Sequence, residues 1–342
     1  MSDFSIGVDL GGTNLRIAAI STDGELLEKV TLGTKVATGP DHLITDMCDA
    51  IRRLTEKYRS GGSFLGAGIG IPGIIDMEAG MLRKSANLPG WSDYPVRAEI
   101  EQRLGARVFL ENDANVAALG EKWLGAARGV DNMAMVTLGT GIGGGIVLNG
   151  KIWHGMNGMS GEFGHVTIEP DGVPCGCGNH GCAERYASAT AVVRMAQEAI
   201  ASGEAPELAQ AASADAEFGA KSIYNLAIQG DEQAKKIFRR FGRALGLMLG
   251  GLVNTLNLEM FVIGGGVSSA WDAFAPTMFE VLRERSLVYA ATAPDDPLAR
   301  DVGREEGASA HVVARTRKKT IITRALLGSD AGLYGAARIP AV

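Results

Sequence analysis

Three of the four cysteines crowd into Cys175-Gly-Cys177-Gly-Asn-His-Gly-Cys182, ten residues after His165. One nitrogen and three sulfur ligands close a tetrahedral zinc site with no open position, which makes such a site structural rather than hydrolytic. His180, inside the cluster, competes with His165 for the nitrogen position, and spacing leaves that choice open. The alternative is three unliganded thiols in one small loop. Disulfides are not expected in a cytosolic chain, so the crowding reads as metal arithmetic, with Cys48 apart in a helix.

Phosphate binding is the second chemistry. Gly11-Gly12-Thr13 and Gly139-Thr140-Gly141 each interrupt alternating apolar residues, so each reads as a hairpin tip. Glycines there let backbone N–H groups approach a phosphate, with a threonine hydroxyl alongside. Residues 139–144 formally fit G-x-G-x-x-G, but a dinucleotide site needs a helix after the glycines and a strand follows here. No G-x-x-x-x-G-K-[ST] occurs. An ordinary turn explains either tip alone; the repeated Thr-bearing design favours phosphate.

Carboxylates complete the set. Asp9 ends the first strand two residues before Gly11, where it opposes a phosphate unless a cation such as Mg²⁺ lies between. Turn capping is its other use. Asp113, in Glu111-Asn112-Asp113-Ala114-Asn115, stands where a strand gives way to a helix. It either caps that helix or acts as general base on a hydroxyl attacking a γ-phosphoryl group. Val116 leaves the capping box incomplete. Glu162, His165 and Glu184 frame the cysteine loop, as solvated charges or as grips for the hydroxyls of a polar ligand.

Period-two alternation around the first glycine pair predicts a hairpin over residues 4–20, a third strand near 26–32 and a helix at 43–58. Strands follow at 65–71 and 108–110, with a helix at 114–124. The same grammar restarts at Met133: a strand to Leu138, a glycine turn over 139–145, and a returning strand at 146–148. This repetition predicts two related α/β lobes. Residues 184–256 read as helices broken near Pro206 and Gly230. A strand at 259–263, a helix at 271–285 and a short terminal helix near 331–337 complete the chain. The expected lobes are 1–112 plus 329–342, and 113–328. The second carries the zinc loop at 165–182 and an exposed insertion at about 291–311, for which the sequence gives no function.

The 342 residues, 46 % hydrophobic and 21 % charged, suit two domains with their own cores and exclude collagen, disorder and a disulfide mini-protein. A formal net charge of −6 gives no attraction to nucleic acid or anionic lipid. The most apolar stretch, 244–253, is half of the roughly 20 residues a spanning helix needs, and no leader pattern opens the chain. The Arg315–Lys319 cluster reads as a solvated face. A cytoplasmic protein is expected.

Asp9-Leu-Gly-Gly-Thr-Asn14, Gly68-Ile-Gly-Ile-Pro-Gly73, Glu111–Asn115, Leu138–Gly145, Gly161-Glu-Phe-Gly-His165, Cys175–Glu184 and Ile263–Val267, in that order, closely resemble the ROK family of sugar kinases and repressors. Its bacterial glucokinase branch is the nearest. The resemblance runs from residue 5 to about 338. It implies an actin-like ATPase (ribonuclease H-like) duplicated α/β fold, with ATP and sugar meeting in an interdomain cleft. It further implies Asp113 as base and Asn87, Asn112, Glu162, His165 and Glu184 as sugar contacts. His165 would turn its second ring nitrogen to zinc with Cys175, Cys177 and Cys182. Asp9, Gly11, Gly12, Thr13, Thr140 and Gly141 would face Mg²⁺ and phosphates, and Gly264, Gly265 and Gly266 the nucleoside. A homodimer or homotetramer is the implied assembly.

Family repressors carry an N-terminal helix-turn-helix, whereas here the phosphate hairpin starts within ten residues of Met1, so DNA binding is not expected. The expected reaction is ATP- and Mg²⁺-dependent phosphorylation of the 6-hydroxyl of glucose. Rival expectations are an N-acetylglucosamine or N-acetylmannosamine kinase, a sugar sensor without catalysis, and a filament protein; the last gives no reason for a zinc loop.

Overall fold

The computed structural model describes residues 2–34, 39–85, 87–298 and 318–342. Most of the expected insertion at 291–311, and Arg315 to Arg317 of the basic cluster, lie outside the described residues.

The first glycine pair does turn a hairpin: β1 (Phe4–Leu10) and β2 (Asn14–Ser21) pair antiparallel from Phe4↔Ser21 to Leu10↔Leu15. β3 (Leu26–Gly33) extends the meander. Helix α1 (Pro40–Tyr58) starts on a proline and buries Leu43, Met47, Ile51 and Leu54 at helical spacing, which packs its apolar stripe on the sheet. β4 (Phe64–Ile71) returns parallel to β1. After the hairpin β5 (Ile74–Asp76) and β6 (Met81–Lys84) and helix α2 (Val96–Leu104), β7 (Val108–Asn112) lies parallel to β4. Helix α3 (Asp113–Trp123) follows at once.

The second sheet comprises β8 (Met133–Leu138), β9 (Ile142–Leu148), β10 (Lys151–Ile152), β11 (Met260–Gly264) and β12 (Ile321–Arg324). The two orders are β3-β2-β1-β4-β7 and β10-β9-β8-β11-β12, so each sheet runs third, second, first, fourth, fifth strand of its half. That shared topology is the duplication the two Gly-Thr tips imply. Between β10 and β11 lie α4 (Ala189–Ala201), α5 (Pro206–Ala214), α6 (Ala220–Gln229) and α7 (Glu232–Leu256). Helices α8 (Trp271–Arg285) and α9 (Leu287–Thr292) follow β11, and α10 (Ala331–Arg338) follows β12. Phe238, Phe241, Phe274 and Trp271 form an aromatic chain with ring centroids 5.0 to 6.3 Å apart, joining α7 to α8.

The glycine turn expected over 139–145 is shorter than the sequence suggests. β9 begins at Ile142, so Gly143, Gly144 and Gly145 are strand residues. A Cβ on Gly145 would stand 2.8 Å from the Ala114 carbonyl and 2.9 Å from the Ala118 methyl. Glycine serves helix approach there, not a turn.

Two compact units emerge: Met1–Met135 with Gly144–Gly161 and Ala325–Val342, and Val136–Gly143 with Glu162–Arg324. The boundary expected at 112/113 falls inside the first of them, because α3 packs tightly on α10. A Cβ on Gly120 would overlap the Ala331 carbonyl, and one on Gly335 the Val116 carbonyl. Gly335→Ala is therefore expected to destabilise the chain by about 1–3 kcal/mol, the usual cost of overpacking. Urea unfolding checks this, and an unchanged midpoint would contradict such close packing.

Candidate functional site

In the first unit, the carboxyl ends of the parallel strands carry the chemistry. Register aligns Asp9 with Gly70 and Gly70 with Glu111, which spaces Asp9 and Glu111 by two strands, about 10 Å. Asp113 lies two residues beyond, at the start of α3. Capping, the alternative role for Asp113, belongs to its neighbour: Asn112 Oδ1 accepts from the N–H groups of Ala114 at 2.9 Å and Asn115 at 3.3 Å. Asn112 Nδ2 also donates to the Gly73 carbonyl at 3.3 Å. Asp113 is half-buried, and its Oδ1 accepts from the Ala114 N–H at 2.9 Å.

The first tip is closed by Gly11 N–H donating to the Asn14 carbonyl at 2.9 Å, and Thr34 steadies it by donating its hydroxyl to the Gly11 carbonyl at 2.9 Å. Gly12 and Thr13 are exposed. Asn87, 54 residues beyond the meander's last strand in sequence, comes back beside this tip: a Cβ on Gly12 would stand 3.7 Å from Asn87 Cβ.

Burial pushes the Asp9 carboxyl above its usual range, and the neighbouring Arg16 guanidinium opposes that rise. Arg16 Nη1 stands 3.2 Å from Asp9 Oδ2 and donates to the Ser329 carbonyl at 3.1 Å. Thus a protein cation already meets part of the charge conflict that the sequence assigns to a metal. Sequence reading did not single out Arg16, although counting back from the glycine pair makes it Asp9's cross-strand partner.

In the second unit the other tip is one residue tighter, and a threonine hydroxyl steadies it as well. Gly139 N–H donates to the Gly141 carbonyl at 3.0 Å, and the Thr190 hydroxyl donates to the Thr140 carbonyl at 2.7 Å. Thr190 lies in the first turn of α4, whose Ser188 cap accepts from the Ala191 N–H, so a helix N-terminus sits against the tip. Sequence reading missed Thr34 and Thr190 alike. β11 delivers Gly264, Gly265 and Gly266; Gly265 adopts φ 82°, and a Cβ there would stand 2.5 Å from the Leu138 carbonyl, so only glycine fits this crossing.

The ligand atoms of His165, Cys175, Cys177 and Cys182 all lie within 4.8 Å of one another. Cys177 and Cys182 sulfurs are 3.7 Å apart, as are the Cys175 sulfur and His165 Nδ1. Zinc–sulfur bonds of about 2.3 Å in a tetrahedron put ligands about 3.8 Å apart, so this donor set fits zinc. His180 lies outside the group, which resolves the choice left open by spacing. As free thiols, burial pushes Cys175 up to about 12 and raises Cys182, while the Asn179 N–H lowers Cys177. A metal must therefore displace protons from the buried pair.

Beside the cluster, His165 Nε2 stands 3.8 Å from Glu162, and His165 Nδ1 3.8 Å from Glu184. Glu184 also accepts from the Cys175 thiol at 3.1 Å, and a Cβ on Gly141 would meet Glu184 Oε2. Carboxylates suited to hydroxyls thus adjoin a tip suited to phosphate.

Two sheets of one topology, each ending in a Gly-Thr tip, define the class of duplicated, actin-like ATPase folds. The ROK family profile matches residues 5–317, and the chain belongs to that family. It is 40 % identical to a glucokinase of Halalkalibacterium halodurans over 85 % of this chain and 87 % of that one. With a glucokinase of Thermotoga maritima it shares 42 % identity over 83 % of this chain and 87 % of that one. The solved ROK glucokinase from Streptomyces griseus, in complex with glucose and AMPPNP, superposes with a TM-score of 0.75 at 32 % identity, covering 98 % of each chain. Among the described residues, no helix is long and apolar enough to cross a membrane.

Proposed function

We propose that this protein is an ATP-dependent hexose kinase that phosphorylates the 6-hydroxyl of glucose, the entry step of glycolysis. One observation carries the reading: Glu162, His165 and Glu184 gather at the Cys₃His cluster with Glu184 against Gly141 of a phosphate-type tip. Hydroxyl-binding and phosphate-binding groups adjoin. Likeness to glucokinases at 40–42 % identity supports the same substrate pair.

Asp113 takes the proton of the 6-hydroxyl as its oxygen bonds to the γ-phosphorus. The bond to the bridging oxygen breaks, and that electron pair leaves with ADP. Backbone N–H groups at Gly12 and Gly141 and the hydroxyls of Thr13 and Thr140 hold phosphate oxygens and absorb developing charge, while Gly11, whose N–H closes the first tip on the Asn14 carbonyl, shapes the turn beside them. Gly264 to Gly266 bear the nucleoside. Glu162, His165 and Glu184 hold the remaining sugar hydroxyls with Asn87 and with the second amide hydrogen of Asn112. A structural zinc would be held by His165 Nδ1 and the three cysteines, where it ties the loop without entering bond making.

Mg²⁺ suits the single Asp9 carboxylate next to a phosphate site, since that ion favours one or two carboxylates plus phosphate oxygens. Treatment with EDTA and assay without added Mg²⁺ is expected to cut activity at least about tenfold, with recovery on adding the ion. Undiminished activity would contradict the assignment.

A panel of hexoses and acetamido-hexoses in a coupled ADP assay tests the substrate. Glucose is expected to give the highest kcat/KM, and a preference for N-acetylglucosamine or N-acetylmannosamine would overturn it. The proposed location is the cytoplasm, where ATP and reduced thiols coexist. The proposed assembly, carried over from the resemblance, is a homodimer or homotetramer; light scattering that finds monomer alone would contradict it.

A further inference from the structure

Glu111 is 5 % exposed, yet it belongs neither to the base nor to the sugar grips. Its Oε1 accepts from the Asn112 N–H and from Asn115 Nδ2, both at 2.9 Å, so its hydrogen bonds land on both sides of Asp113. Asn115 is 1 % exposed, and its Oδ1 has no hydrogen-bond partner among the described residues. A buried amide that leaves its acceptor unmatched while donating to Glu111 marks a geometry imposed by the carboxylate. Glu111 Oε2 stands 2.7 Å from His154 Nε2.

His154 follows β10, and its carbonyl accepts from the Ser160 N–H at 3.2 Å. Its ring is 40 % exposed and lines a cavity of about 340 Å³, which gives solvent protons a path to it. The other charged groups lining that cavity are engaged elsewhere. Arg97 of α2 donates to the Met77 and Glu78 carbonyls, Glu101 of α2 accepts from the Val108 N–H, and Arg107 lies over the Phe109 ring. Glu111 is thus the carboxylate His154 meets.

We propose that Glu111 and His154 form a positioning ion pair that holds the strand-to-helix junction so that Asp113 is aimed at the sugar hydroxyl. The inference rests on Asp113 being the base. Glu111 acts through the Asn112 backbone and the Asn115 amide; His154 neutralises a buried negative charge two residues from the base. The Glu111 carboxylate raises His154 above its ordinary value of 6.5. A raised imidazole keeps its proton at pH 6.5 and below, and that positive charge is lost as pH rises through the higher folded value. Turnover falls on that alkaline side as the junction loosens.

The test compares wild type, Glu111→Gln, His154→Gln and Asp113→Asn by kcat and glucose KM across pH, with the His154 ring titration followed by NMR. Glu111→Gln is expected to lower kcat by about 10- to 100-fold with little change in KM, the cost of misplacing a reacting group. The His154 midpoint should fall back toward 6.5 in that variant. His154→Gln keeps a donor but cannot charge, so it should hold the lower alkaline turnover of wild type at all pH values where Asp113 is ionised. Because its ring is 40 % exposed and glutamine still donates to Glu111, His154→Gln is expected to fold even if Glu111→Gln does not, which circular dichroism checks. Wild-type kcat and an unaltered alkaline limb in His154→Gln, with Asp113→Asn inactive, would overturn the pair alone. Activity retained by Asp113→Asn would overturn the base assignment instead.

Discussion

Asp113→Asn is expected to lower kcat at least about 100-fold while glucose still binds, because a positioned general base contributes about 10²- to 10⁴-fold. The substitution removes the proton-accepting carboxylate while keeping the shape of the side chain. Asparagine keeps an oxygen that can accept the 2.9 Å bond from the Ala114 N–H, and the helix start is held independently by Asn112. Helix α3 should therefore form normally, and the loss should appear in kcat rather than in melting temperature or glucose affinity. Coupled ADP release gives the rate, and calorimetry gives the glucose Kd. A variant keeping more than about one-hundredth of wild-type kcat would remove Asp113 from the role of base.

Cys177→Ser carries the second large effect: loss of zinc, and glucose affinity lower by about 10- to 100-fold, the usual scale for disturbing groups that orient a metal-tied site. Cys177 is exposed, so the change opens no core cavity. It removes one of four ligands and frees the loop. His165 links the two functions, since Nδ1 faces Cys175 while Nε2 faces Glu162. Without the metal, the ring that should bind sugar loses the anchor that orients it. Affinity should suffer more than kcat, since the metal organises the ground state. Metal analysis that finds no zinc in the wild-type protein would contradict the site outright.

What was legible in the chain was local and periodic. Alternation around Gly11-Gly12 gave the first hairpin, the interval from Trp271 to Arg285 gave α8 to the residue, and the three crowded cysteines gave the cluster, though the choice of His165 over His180 came only with the fold. Repetition of the Gly-Thr tip announced a duplication that the two sheet orders then display. Features set by tertiary approach were not legible. Gly145 resembles a turn glycine until α3 is laid against β9, and Gly120 and Gly335 have no local signature of a helix crossing. Asn112 and Asp113 are equally good caps by type; which one caps depends on where β7 ends. Arg16 needed a strand register, and His154 meets Glu111 across 43 residues, a separation no periodicity reports.

Product analysis of the purified protein with Mg-ATP and either glucose or 6-deoxyglucose tests the central claim most directly. Glucose should yield glucose 6-phosphate and ADP in equal amounts, and 6-deoxyglucose, lacking the acceptor oxygen, should yield no phosphorylated sugar. Phosphate found on 6-deoxyglucose, or no ADP release on adding glucose, would contradict the account.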